Sequence, residues 1–199
     1  MSSPSAAKLK ARPPEPSNYL TGAYYDALMA WQDQARSLGP CTDEAVRQEA
    51  VRLLNFEARL LDSRRFSEWL DLLSDDCIYW VPAEPGADPR VAVTVAFDDH
   101  RRLEDRIIRL ETGFAHNQLP DRRMRRLVTN VEAWDAADGQ SRRVMANEHV
   151  FEHRTGKARI EYVASLDYWL VKHGDQWRIK VKKVQLLNSL DGLDTPTIL

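Results

Sequence analysis

Apolar residues recur every three or four positions over four stretches of the chain and then every second position towards its end, a pattern that predicts helices first and strands afterwards. Val46, Ala50, Leu53, Leu54, Glu57, Leu60 and Leu61 make one continuous stripe, predicting a long helix capped by Thr42, with Asp43 and Glu44 favouring its dipole. Ser63 is placed to cap a second helix in which Phe66, Trp69, Leu70 and Leu73 share a face. A Ser-Asp-Asp turn over 74–76 breaks that period, and Cys77 to Val81 reads as an aromatic strand that Pro82 ends. Three prolines in PAEPGADPR predict a loop, and Val91 to Phe97 resumes as a short apolar run. Asp98 or Asp99 caps a third helix with Leu103, Ile107 and Leu110 on one face and Gly113 as its stop.

From Arg125 the period is two. Leu127–Trp134, Arg142–His153, Ala158–Lys172 and Gln176–Leu187 read as strands joined at Asp138-Gly139, Thr155-Gly156-Lys157 and Gly174-Asp175, an antiparallel meander. Near the start, Leu20, Tyr24, Leu28, Trp31 and Ala35 predict a further helix over 18–37, ended by Leu38-Gly39-Pro40. Residues 1–17 are too rich in Pro, Ser and charge to repay their ordering entropy. The chain therefore divides into an extension over 1–40, partly disordered and then helical, and a single α+β domain over 41–199. In that domain one bent antiparallel sheet wraps around three helices.

Three stretches carry a family likeness. ARLLDSRRFSEWLDLLSDDCIYWVP, FDDHRRLEDRIIRLETGFA at 97–115 and RRLVTNVEAW at 125–134 resemble, in this order, the beta (small) subunit of aromatic ring-hydroxylating dioxygenases. The resemblance implies a cone-shaped fold of the nuclear-transport-factor-2-like type. It also implies a large (alpha) partner subunit that holds a Rieske [2Fe–2S] cluster and a mononuclear iron. Three small and three large subunits would form a hexamer, in which the small ones fix the geometry for electron transfer between neighbouring large ones. A non-catalytic, supporting role follows for this chain.

Composition agrees with that role. The 28 basic and 30 acidic residues leave a net charge of −2, with no basic field for nucleic acid or anionic lipid. Two cysteines are too few for a disulfide framework and suit a cytoplasmic protein, and neither a membrane span nor a signal segment is expected. A Rieske centre needs paired C-x-H and C-x-x-H motifs, which the sequence lacks, so no cofactor is expected in this chain. His149 and His153 stand four apart in NEHVFEHR, but on a strand that spacing spans about 13 Å and cannot close on one metal.

Two further readings concern particular residues. A stand-alone dehydratase or isomerase of the same fold would place proton-transfer groups in the cone, with Glu57, Asp76, Tyr79 and His100 as candidates. Each also has a structural reading, as core aromatic, turn former or polar helix position. Arg122, Arg123, Arg125 and Arg126 read as an exposed or subunit-contact loop, with Arg125 and Arg126 at the interface. In the strand over 158–172, Tyr162, Ala164, Leu166, Tyr168 and Leu170 are the core set. The opposite set still carries Val163, Trp169 and Val171, which predicts self-association unless the helix over 18–37 covers that face.

Overall fold

The computed structural model describes residues 19–111, 123–154, 156, 159–187 and 198; the expectations for 1–17, Gly113 and Arg122 lie outside them. Helix α1 (Gly22–Gln34) starts where the Thr21 hydroxyl accepts from the Tyr24 amide, 3.3 Å away, and tightens into a 3-10 turn over Ala35–Ser37. Helix α2 (Glu44–Asp62) is capped by Asp43, not Thr42: Asp43 Oδ1 accepts from the Val46 amide at 3.1 Å. A carboxylate makes the stronger, charge-assisted cap. Ser63 closes α2 instead of opening the next helix, and α3 (Phe66–Leu70) begins at Arg65 without a side-chain cap.

Strand β1 (Leu73–Pro82) starts earlier than the sequence predicts. Ser74–Asp76 does not turn the chain. It is an irregular entry to the strand, where pairing to the neighbouring strand shifts register between Leu73 and Ile78. After the loop over 83–93 come β2 (Thr94–Asp99) and α4 (His100–Glu111). Asp99 caps α4 by accepting from the Arg102 amide at 2.7 Å, while Asp98 receives the Arg106 guanidinium. The meander follows as β3 (Arg123–Asp135), β4 (Ser141–His153), β5 (Ile160–His173) and β6 (Gln176–Leu186).

The six strands form one sheet in the order β2-β1-β6-β5-β4-β3. All neighbours run antiparallel except β1 and β6, which are parallel, a pairing between distant segments that local periodicity does not reveal. Because side chains alternate across a strand, the sheet presents two faces. Val144, Val150, Leu166, Tyr168 and Val184 face inward and pack with Leu54 and Leu61 of α2, Trp69 of α3, and Leu103 and Ile107 of α4. On the outer face Ile78, Trp80 and Val181 pack with Leu28 and Trp31 of α1. This is the cone of the nuclear-transport-factor-2-like fold, with one helix added outside.

Trp169 belongs to that outer layer: its ring stacks on Trp31 with centroids 5.9 Å apart. The chain's own helix covers part of it and leaves the ring half-buried. Arg143 locks α1 in place, donating to the Trp31 carbonyl while it pairs with Asp167. The Gln32 side chain bridges the Gly86 carbonyl, at 3.2 Å, and the Lys183 ammonium.

Candidate functional site

Among the four candidate pocket residues, only Glu57 and Tyr79 point into the cone, and both are buried. Glu57 sits on the inward stripe of α2. Its Oε1 accepts from Trp69 Nε1 at 2.9 Å and from Lys182 Nζ at 3.0 Å, and its Oε2 accepts from the Tyr168 hydroxyl at 2.7 Å. Three buried donors thus occupy this carboxylate, so its charge is matched within the core. Burial, together with the negative charges of Glu57 and Glu148, pushes the Tyr168 hydroxyl well above its ordinary range and keeps it a donor.

The network continues towards the C-terminal end of α2. Arg126, at an inward position of β3, pairs with Asp62 (2.7 Å from Nη1 to Oδ1) and donates from Nη2 to the carbonyl of Ile198. Glu148 lies nearby on β4, with Oε1 3.6 Å from Arg126 Nε. Burial raises the Glu148 carboxyl above the usual carboxylate range, against the opposing pull of Lys182 and Arg126. Arg126 is therefore not an interface residue; it is a core cation. Strand β3 begins at Arg123, which puts Arg126 in register opposite Val150 on the inner face and leaves Arg125 on the outer one.

Asp76 and His100 lie away from this interior. Asp76 Oδ2 pairs with Lys180 at 2.9 Å, its Oδ1 accepts from Ser74, and its carbonyl accepts from the Tyr24 hydroxyl of α1. Partial burial would raise its pKa, but the bonds from Lys180 and Ser74 prevail and hold it below the ordinary value. His100 opens α4, where Nδ1 stands 3.5 Å from Glu104 and its amide donates to the Tyr19 hydroxyl. The four candidates do not converge on one reaction volume.

An open cleft of about 390 Å³ lies at the other end of α2, lined by Ala50, Leu53, Leu72, Leu170 and Trp177 with Arg142 at its side. None of the four candidates lines it. The Arg142 guanidinium lies over the Trp177 ring, 4.4 Å from its centroid, and is held by Asp135 and Glu49. Its charge is spent on those carboxylates.

His149 and His153 both lie on β4, and His149 bonds Glu161 at 2.9 Å and stacks on Phe151. Among the described residues no group of three or more His, Cys, Asp or Glu side chains could hold a metal ion. Cys41 and Cys77 carry free thiols, and burial pushes that of Cys77 far above its ordinary range. No helix among the described residues is long and apolar enough to cross a membrane.

The polar members that sequence reasoning missed, Glu148 and Lys182, had a signal. Each is a charged residue in a buried alternating set that it shares with Val144, Ala146 and Val150 on β4, or with Val184 and Leu186 on β6. A charge at such a position must find an opposite charge inside.

Comparison with known proteins supports the same picture. The family model described as "Ring hydroxylating beta subunit" matches residues 56–191. The small oxygenase component of the p-cumate 2,3-dioxygenase system of Pseudomonas putida is 34% identical over 140 residues, covering 69% of this chain and 77% of that one. The 2-halobenzoate 1,2-dioxygenase small subunit of Burkholderia cepacia is 30% identical over 148 residues, covering 71% and 88%. Among solved structures, the beta subunit of the benzoate 1,2-dioxygenase from Burkholderia mallei superposes with a TM-score of 0.62 at 27% identity, covering 78% of this chain and 98% of that one. With a family match over residues 56–191 that takes in most of the cone, the chain belongs to the beta (small) subunits of aromatic ring-hydroxylating dioxygenases.

Proposed function

We propose that this chain is the architectural subunit of a three-plus-three hexamer, in which a large partner subunit carries the Rieske [2Fe–2S] cluster and the mononuclear iron and performs all the chemistry. The observation that carries this reading is Glu57, whose oxygens are occupied by Trp69, Lys182 and Tyr168 deep in the core. A general acid or base must reach a substrate proton, and a carboxylate enclosed by its own chain does not. Helix α1, the described part of the extension over 1–40, is then an outer brace for the 41–199 cone. The free thiols of Cys41 and Cys77 suit a cytoplasmic complex.

The named relatives serve p-cumate, 2-halobenzoate and benzoate, all ring carboxylic acids, which makes substituted benzoates the first substrates to offer the complex. The test is co-expression with a large subunit that has paired C-x-H and C-x-x-H motifs. The expected result is an equimolar complex whose iron stays entirely with the large subunit after the two are separated. Recovery of stoichiometric iron on the isolated small subunit, or failure of any such large subunit to bind it, would contradict the proposal.

A further inference from the structure

The inner core turns polar towards the C-terminal end of α2, where its members fall into one cross-strand row. Register sets Arg126 of β3 opposite Val150 of β4, and Val150 opposite Tyr162 of β5; Glu148 and Glu152 flank Val150 in the same inward set. Two acids there are engaged: Asp62 accepts from Arg126 Nη1, and Glu152 accepts from Arg154 and, at 3.3 Å, from the Tyr162 hydroxyl. Ile198, far along the chain beyond β6, joins this row. It is 1% exposed within the inward cluster, and its carbonyl accepts from Arg126 Nη2.

That bond fills half of a fork. A guanidinium presents Nε and Nη2 along one edge as two parallel donors, a geometry that a carboxylate meets with both of its oxygens. Arg142 shows the edge in full use, with Nε donating to Asp135 Oδ1 and Nη2 to Asp135 Oδ2. At Arg126 the Ile198 carbonyl takes Nη2 alone, and Nε has no hydrogen-bond partner. Glu148 Oε1 stops 3.6 Å from that Nε, too far for a hydrogen bond, and Glu148 Oε2 is unpartnered as well. Both side chains are 2% exposed, so each orphaned atom carries an uncompensated desolvation cost.

We propose that this end of the cone is a closed binding site for a small branched-chain carboxylate, and that Ile198 is its built-in occupant. A carboxylate supplies the second acceptor oxygen that Nε lacks, where the backbone carbonyl supplies one. Its branched body takes the place of the Ile198 side chain in the inward cluster. The local field accepts an anion, since the pull of Lys182 and Arg126 on Glu148 is larger than the push from Glu57 and Asp62. Burial holds Glu148 towards its protonated form, in which Oε2 can donate to the ligand. The matching probe is β-methylvalerate, the isoleucine skeleton without its amino group. Binding there makes and breaks no covalent bond, so the site is independent of the hexamer and of the supporting role.

Ile198→Gly in the full-length chain empties the side-chain space, and titration calorimetry with β-methylvalerate reads the result. The variant should bind one equivalent, and the parent should bind about tenfold or more weaker, because Ile198 competes for the same place. The amide β-methylvaleramide has the same body but a single acceptor oxygen. It should bind the variant about tenfold or more weaker than the acid does. In NMR spectra of the nitrogen-labelled variant, the Arg126 Nε–H resonance should shift as the acid is added.

A folded variant that binds nothing, acid and amide that bind alike, or an Arg126 signal that does not move overturns the inference. Equal binding by parent and variant also overturns it, because Ile198 then holds a different place. If circular dichroism shows Ile198→Gly to be unfolded, Ile198→Ala replaces it with the same expectations. Failure of both to fold makes Ile198 a residue the fold requires, which overturns its reading as an occupant.

Discussion

The two faces of this sheet use the same strands for different ends. On the inner face three helices close over a continuous core with Glu57, Glu148, Lys182 and Arg126 buried in it. On the outer face α1 covers a smaller cluster, fixed by the Trp31–Trp169 stack and the Arg143 bridge, while Leu127 of β3 and Val163 of β5 remain 49% and 40% exposed. Inside, Glu57 is fully engaged by its own chain, while Glu148 Oε2 and Arg126 Nε find no hydrogen-bond partner among the described residues; outside, apolar side chains remain exposed. The contrast shows where the cone spends its side chains: the inward carboxylate of α2, Glu57, is engaged by Trp69, Tyr168 and Lys182, and the exposed large apolar residues lie on the exterior.

The largest expected effect comes from emptying the inner face. Trp69→Ala removes a fully buried ring and one of the donors to Glu57, and should cost roughly 3–5 kcal/mol in urea denaturation. An unchanged midpoint would show that the inner face is not the core that defines the fold. Trp31→Ala strikes the outer face and should cost about 3 kcal/mol at most, because α1 can detach while the inner core stays closed. Hydrogen exchange should then show lost protection in α1 with β4 and β5 unchanged; a global loss would erase the distinction between the faces.

The smallest effect concerns pH. Burial raises the native Glu148 carboxyl above its ordinary 4.5, so the unfolded chain gives up this proton first as pH rises. The associated stability is complete below about pH 4.5 and is lost as pH climbs through the raised native value. Glu148→Gln escapes that loss. Its advantage over the parent in thermal denaturation should be absent near pH 4 and grow towards neutrality, by about 1 kcal/mol for each unit of upward shift. An advantage confined to acid would reverse the sign of the argument.

Much of this was legible in the sequence. The stripe of α2, the inward set of β5 and the turns at Gly139 and Gly174 read directly from period and composition, because local burial dictates them. What escaped was long-range. Trp169 looked like interface because alternation tells which residues leave the core, not what then covers them; the cover is Trp31, more than a hundred residues away. Arg126 looked like surface because it stands in an arginine run, and only the true start of β3 gives it inward parity. Glu57 was recognised as facing the cone, but its partners come from α3, β5 and β6, and no local pattern assembles them.

The central claim is that this subunit supports chemistry without performing it, and the most direct test is turnover by the complex reconstituted with Tyr79→Phe. Tyr79 is the aromatic candidate inside the cone, and the change removes its hydroxyl alone. Turnover should remain within about twofold of the parent with the assembly intact, since a true general acid or base contributes on the order of a hundredfold or more. A loss of that larger size, in a complex of unchanged mass and iron content, would contradict the account and make the cone a catalytic site.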